Sequence, residues 1–97
     1  MPGEVVWLPD AVRDMARLRA FIQQKNPAAA QRAANRIKMA VQILQKNPAM
    51  GKPVEECISF RELLIPFGSG TYVLRYREEP NCVVIVRVRH SREEGFV

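Results

Sequence analysis

Residues 71–90 read TYVLRYREEPNCVVIVRVRH, two runs of β-branched, aromatic and arginine residues separated by a charged break that carries a proline. Thr71 to Arg77 and Cys82 to His90 are strand-like runs, and successive side chains along a strand point to opposite faces. Glu79-Pro80-Asn81 supplies the turn between them, so the two runs are expected to fold back on each other. Upstream, Arg61 to Phe67 is a further apolar run, joined to Thr71 by Gly68-Ser69-Gly70. Connections this short make successive strands neighbours, which predicts an antiparallel meander of three strands.

Tyr72, Leu74 and Tyr76 share one side of their strand, against Val73, Arg75 and Arg77. In the last strand Val84, Val86, Val88 and His90 alternate with Val83, Ile85, Arg87 and Arg89. A sheet covered on one face leaves the other wet. Here the polar sides are rich in arginine rather than mixed in charge.

The period changes in the first half of the chain. Ala11, Met15, Leu18 and Ile22 fall at i, i+4, i+7 and i+11, which predicts a helix running to about Gln24. Before it, Glu4 to Leu8 (EVVWL) reads as a short strand closed by Pro9 and Asp10. Pro9 at the first helical position and Asp10 as the cap both fit that start. Asn26-Pro27 then opens a second helix, with Asn as N-cap and Pro where its missing N–H is harmless. Ala30, Ala33, Ala34, Ile37, Val41 and Leu44 form its stripe, and Pro48 ends it near Lys46. The brief break around Lys25 to Pro27 makes the two helices an antiparallel hairpin. The expected fold is therefore α+β in the order β-α-α-β-β-β, with the helix hairpin packed on one face of an antiparallel sheet. A chain of 97 residues supports one domain, read as residues 1–97.

Fifteen Lys and Arg against ten Asp and Glu give a formal charge of +5, which favours an anionic partner: nucleic acid, an acidic protein segment or a membrane surface. The longest apolar runs are only about five residues, far short of the roughly 18 needed to span a bilayer. Met1-Pro2-Gly3-Glu4 does not open like a signal peptide, so the cytoplasm is the expected compartment and no membrane is expected. Cys57 and Cys82 form no CxxC pair, and with one histidine they cannot complete an ordinary four-ligand zinc site. They are read as plain thiols, with no metal and no cofactor expected.

Several blocks carry a family resemblance. Asn26-Pro27-Ala28-Ala29 opens the second helix, Pro48-Ala49-Met50-Gly51 follows it, and Arg61-Glu62-Leu63 opens the meander. Tyr72-Val73-Leu74-Arg75-Tyr76-Arg77 and then Val84 to Arg92 (VIVRVRHSR) are similar to the ending of many RelE/ParE toxins. The resemblance spans almost the whole chain. It implies a growth-arresting toxin neutralised by a cognate antitoxin, ParD-like or similar, whose C-terminal segment wraps the toxin. Members of that family divide over their target: RelE-like toxins cut messenger RNA on the ribosome, and ParE-like toxins poison DNA gyrase. A shared fold does not choose between them.

RNA cleavage by a 2′-hydroxyl needs a base, a cation for the phosphorane and an acid for the leaving oxygen. His90 can act as acid or base, with Arg61 and Arg87 beside it in a nuclease, and Arg61, Arg75 and Arg87 can clamp phosphate bidentately. Equally, His90 can end its strand in a local hydrogen bond to Arg92 or Glu93, and the arginines can pair with Glu55, Glu62 and Glu78. Tyr72 or Tyr76 can orient or stack a base, though Tyr76 suits burial against the helices better than stacking. RelE-type nucleases resemble one another in a dense lysine and arginine set backed by a late tyrosine. This chain has no lysine after Lys52 and no tyrosine after Tyr76, which tilts the reading to a ParE-like gyrase inhibitor. The expected target-binding surface is Arg61, Arg75, Arg87, Arg89, His90 and Arg92. Val12, Met15, Leu18 and Phe21 on the first helix are expected to meet the antitoxin. Arg13 with Arg17 and Arg32 with Arg36, spaced i, i+4, read as ordinary solvated charge.

Overall fold

The computed structural model describes residues 3–93, apart from the side chain of Ile58. Seven elements follow in chain order: β1 (Glu4–Trp7), α1 (Pro9–Gln23), α2 (Pro27–Lys46), β2 (Lys52–Val54), β3 (Cys57–Phe67), β4 (Gly70–Glu79) and β5 (Cys82–His90). The helix hairpin packs on one sheet in the strand order β1-β5-β4-β3-β2. Both helix starts obey their local chemistry. Leu8 is the N-cap of α1 with Pro9 at the first helical position, which leaves Asp10 in the first turn rather than at the cap. At α2, Asn26 Oδ1 accepts the N–H of Ala29 at 3.1 Å.

The meander β3–β4–β5 is antiparallel as its short turns require, and two edge strands enlarge it. β1 pairs with β5 in parallel, Val5 opposite Val83 and Trp7 opposite Ile85, so the helix hairpin is part of the crossover between them. β2 pairs antiparallel with β3 at the other edge, Pro53 opposite Arg61. Proline is tolerated there because an edge strand has one side free of the ladder. β3 also begins earlier than its apolar run, at Cys57.

The core lies between the helices and the face of the sheet carrying Tyr72, Leu74 and Tyr76. Leu44, Leu74, Tyr76, Ile85 and Val88 are wholly buried, joined by Leu18, Ile37 and Val41. The faces of β5 differ from strict alternation. Tyr76 lies opposite Ile85 and Arg75 opposite Arg87, which leaves Val86 without an opposite residue. That extra residue is a β-bulge, and it puts Val83 and Ile85 in the same core as Val88.

Candidate functional site

β1 ends where it pairs with Ile85, so among the described residues the edge of β5 beyond that point has no strand beside it on the β1 side. α1 fills the gap with a carboxylate. Asp14, only 2% exposed, accepts the backbone N–H of Val88 at 2.9 Å on Oδ2. Arg87 donates to the same carboxylate through Nε at 2.8 Å and Nη2 at 3.1 Å, and Arg17 Nη1 donates at 2.6 Å. Burial alone would raise the pKa of Asp14, but the donors Arg87, Val88 N–H and Arg17 outweigh it and hold the carboxyl below its usual range. The hydrogen bond to Asp14 is in turn the main cause of the raised pKa values of Arg17 and Arg87.

Arg17 reaches a second carboxylate. Its Nε and Nη2 donate to Glu93 at 3.2 and 3.0 Å, and Glu93 Oε1 also accepts the backbone N–H of His90 at 2.8 Å. Burial would raise the Glu93 pKa; the His90 N–H and Arg17 overcome that and lower it. The residues between form a tight turn: Glu93 N–H donates to His90 O at 3.0 Å, and Arg92 N–H donates to His90 Nδ1 at 3.1 Å. Ser91 ties the turn to β4 through Thr71, and Arg92 Nη2 donates to Ser69 Oγ at 3.1 Å in the β3–β4 turn.

The imidazole of His90 stands edge-on to Tyr72, ring centroids 5.3 Å apart, and its Nε2 edge lies over Gly70. A Cβ at Gly70 would come within 2.4 Å of Nε2, so that position has no room for a side chain while the ring stays in place. Around this end of the sheet an open cleft has walls from Leu18, Ile22, Phe67 and Tyr72, with Arg17, His90 and Arg92 at its rim. Guanidinium groups over an apolar floor can recognise a carboxylate or phosphate attached to an apolar body. Nδ1 is occupied by accepting the backbone N–H of Arg92, and the ring's other nitrogen, Nε2, is the one beside Gly70.

The arginines expected to act together do not all meet. His90 and Arg92 gather at the strand end beside Tyr72, whereas Arg89, opposite Val73, lies on the other face of the sheet near Glu62 and Arg75, its Nη1 3.4 Å from the carbonyls of His90 and Glu93. Arg61 instead serves the segment after α2, donating to the carbonyls of Ala49 at 3.2 Å and Gly51 at 2.8 Å, with Glu78 at 3.7 Å. Arg75 donates to Glu62 through Nε and Nη2 at 3.0 and 2.8 Å. Arg87, on the adjacent strand opposite Arg75, turns to Asp14. Arg61, Arg75 and Arg87 therefore meet different internal partners, which draw their guanidinium groups in separate directions.

On α1, Val12 and Phe21 are 53% and 66% exposed, while Met15 is half-buried against the core. Leu18 is the exception among the four residues expected at the antitoxin: at 8% exposure it belongs to the core, because the centre of the helix stripe faces the sheet. Tyr76 is buried as expected and Tyr72 is buried with it, and the two cysteines are free thiols. The joining of Asp14 to Arg17 and Arg87 is not foreseen from the sequence, whereas the local hydrogen bonds of His90 with Arg92 and Glu93 are those expected at the strand end. A signal existed for Asp14, which falls between Ala11 and Leu18 on the buried stripe; a carboxylate there needs paired donors. Arg17 follows one turn later, and it is not the ordinary solvated charge that its spacing suggests. Among the described residues, no three His, Cys, Asp or Glu side chains converge as a metal site.

The profile of the family described as ParE toxin of type II toxin–antitoxin system, parDE, matches residues 5–95. Toxin RelE3 of Caulobacter vibrioides is 39% identical over 85 residues, covering 88% of this chain and 90% of that protein. Toxin RelE2 of the same organism is 38% identical over 89 residues, covering 92% and 96%. Among solved structures, a chain of the chromosomal ParDE system of P. aeruginosa superposes with a TM-score of 0.74 at 21% identity, over 90% of this chain and 94% of that one, a likeness of fold. A chain of the toxin–antitoxin complex RelBE2 from Mycobacterium tuberculosis gives a TM-score of 0.60 at 26% identity, covering 93% and 99%.

Proposed function

Because the chain belongs to the ParE/RelE family of type II toxin–antitoxin toxins, we propose that it arrests growth by binding DNA gyrase and that a cognate, ParD-like antitoxin neutralises it. The observation that carries this reading is the disposition of the arginines. Arg61, Arg75 and Arg87, the cations available to cradle a scissile phosphate, are engaged by backbone carbonyls, Glu62 and Asp14. A general acid or base contributes about 10²- to 10⁴-fold only where it reaches the reacting proton in a positioned site. A gyrase poison needs no such apparatus; it needs a firm surface. His90 and Arg92, fixed by the turn after β5, offer one, with Arg89 on the opposite face of the same strand end. The target places the toxin in the cytoplasm, and no helix among the described residues is long and apolar enough to cross a membrane.

A second reading, a ribosome-dependent messenger RNA endoribonuclease, is favoured by the RelE names of the two Caulobacter relatives. It would use His90 with Arg61 and Arg87. Two assays separate the readings. The purified toxin should inhibit gyrase supercoiling and accumulate cleavage complexes while messages stay intact. Codon-phased message cuts that vanish in His90→Ala or Arg61→Ala, with gyrase unaffected, would replace the first reading with the second.

A further inference from the structure

Arg17 and Glu93 lie 76 positions apart, and their pairing joins the middle of α1 to the turn that follows β5. The pair is too exposed to anchor the fold, with side chains 45% and 36% accessible, and ion pairs this exposed contribute little to stability. Its geometry is nonetheless specific. Both nitrogens on one side of the guanidinium meet both oxygens of Glu93, and the remaining nitrogen meets Asp14 at 2.6 Å. The Glu93 oxygen that takes Arg17 Nη2 also takes the N–H of His90. Displacing Glu93 therefore loosens the backbone at His90, and the imidazole, held by Arg92 N–H and wedged over Gly70, moves with it.

We propose that Arg17 is a positioning residue: by bridging Asp14 and Glu93 it locks the turn His90–Glu93 against α1 and so sets the placement of the His90 and Arg92 side chains that meet the target. This rests on the reading of the strand end as the target-binding surface. Asp14 makes the bridge rigid. It is buried and already fixed by Arg87 and Val88, so Arg17 is oriented from the core outward rather than by solvent. A lysine keeps the charge but has no fork with which to bridge two carboxylates. Arg13, one turn earlier and paired with Asp10 in solvent, touches none of these groups.

The test uses full-length toxin carrying Arg17→Lys, Arg17→Ala, Glu93→Gln or Arg13→Ala, each checked for an unchanged melting temperature. Target inhibition should weaken about tenfold or more in the first three and stay at the wild-type level in Arg13→Ala. In NMR spectra of Arg17→Ala the His90 amide and ring signals should shift, while signals of Leu44 and Ile85 in the core stay in place. Millimolar guanidinium ion should partly restore both the activity and the His90 signals of Arg17→Ala. Wild-type inhibition in Arg17→Ala, or unmoved His90 signals, would overturn the positioning role. If wild-type toxin itself acts on neither gyrase nor messages, the proposed function fails instead, and the His90 signals still decide whether Arg17 holds the turn.

Discussion

The backbone N–H of Val88 donates to the carboxylate of Asp14 at 2.9 Å, so a side chain from α1 stands where a neighbouring strand would otherwise run. One oxygen caps the edge of β5 just past the end of β1, and the same carboxylate gathers Arg87 and Arg17. Removing it leaves a buried N–H without its acceptor and takes from Arg87 and Arg17 the carboxylate they share.

Asp14→Ala should therefore destabilise the toxin by about 3–5 kcal/mol, the usual cost of breaking a buried pair by deleting one partner. Asp14→Asn keeps an acceptor for Val88 and should cost less, about 1–3 kcal/mol. Urea unfolding midpoints measure both. A loss below about 1 kcal/mol in Asp14→Ala would mean that the carboxylate is not the keystone of this edge.

The same carboxylate gives stability a pH dependence. Asp14 and Glu93 both titrate below their unfolded values in the native state, so each contributes stability that is present above the ordinary carboxylate range and lost as the pH falls through it. The urea midpoint should stay level from neutrality down to about pH 5 and then drop. Asp14→Asn should start lower and fall less steeply, since one of the two groups no longer titrates. Parallel curves for wild type and Asp14→Asn would assign the acid loss to other carboxylates.

Tyr76 is the second buried polar anchor. Its hydroxyl donates to Pro48 O at 2.6 Å and accepts Gly51 N–H at 2.9 Å, tying the segment after α2 to the centre of the sheet. Tyr76→Phe keeps the packing and loses both bonds, at an expected cost of about 1–3 kcal/mol. Gly51→Ala should be harmful for a different reason, because a Cβ there would lie 2.6 Å from the Tyr76 hydroxyl. Thermal melts of the two variants and of the double variant should show non-additive losses, since both act on one contact.

What could be read from the sequence follows the range of the interactions. The bounds of β5, the Asn26 cap and the helix stripes depend on residues within a few positions of one another, and periodicity and turn chemistry report them directly. The parallel pairing of β1 with β5 joins residues almost eighty positions apart, and no local pattern in EVVWL specifies its partner. The bulge at Val86 is invisible for a related reason: four consecutive β-branched residues, Val83 to Val86, read the same on either face, so alternation cannot place the slip. The site was half legible. His90 and Arg92 stand in a recognisable ending, but whether an arginine meets solvent or an internal carboxylate depends on Asp14 and Glu93, which are distant in sequence from Arg87 and Arg17 respectively.

Gly70 offers a way to disturb the site without touching a charge. In Gly70→Ala the new methyl would overlap Nε2 and Cε1 of His90, at 2.4 and 2.5 Å, and the imidazole must leave its place against Tyr72. The contact is with a side chain at the rim of the cleft, so the melting temperature should fall by less than about 8 °C, equivalent to roughly 1 kcal/mol in a domain of this size. Target inhibition should drop about tenfold. Full activity with a displaced ring, seen by NMR, would remove His90 from the target-binding surface.

The antitoxin-facing role expected of α1 can be separated from the core role of the same helix. Phe21 is 66% exposed and Leu18, three positions earlier, is 8% exposed. Phe21→Ala should change stability by no more than about 0.5 kcal/mol, as surface substitutions do. If Phe21 anchors the antitoxin, the same change should weaken the complex by at least about 1 kcal/mol, a loss of about fivefold or more in affinity. Leu18→Ala should instead cost about 2–5 kcal/mol of folding stability, because it opens a cavity beneath the helix. Calorimetric titration of the cognate antitoxin into the folded variants distinguishes the two effects. Unchanged affinity in both Phe21→Ala and Val12→Ala would move the antitoxin's contact away from both exposed flanks of the α1 stripe.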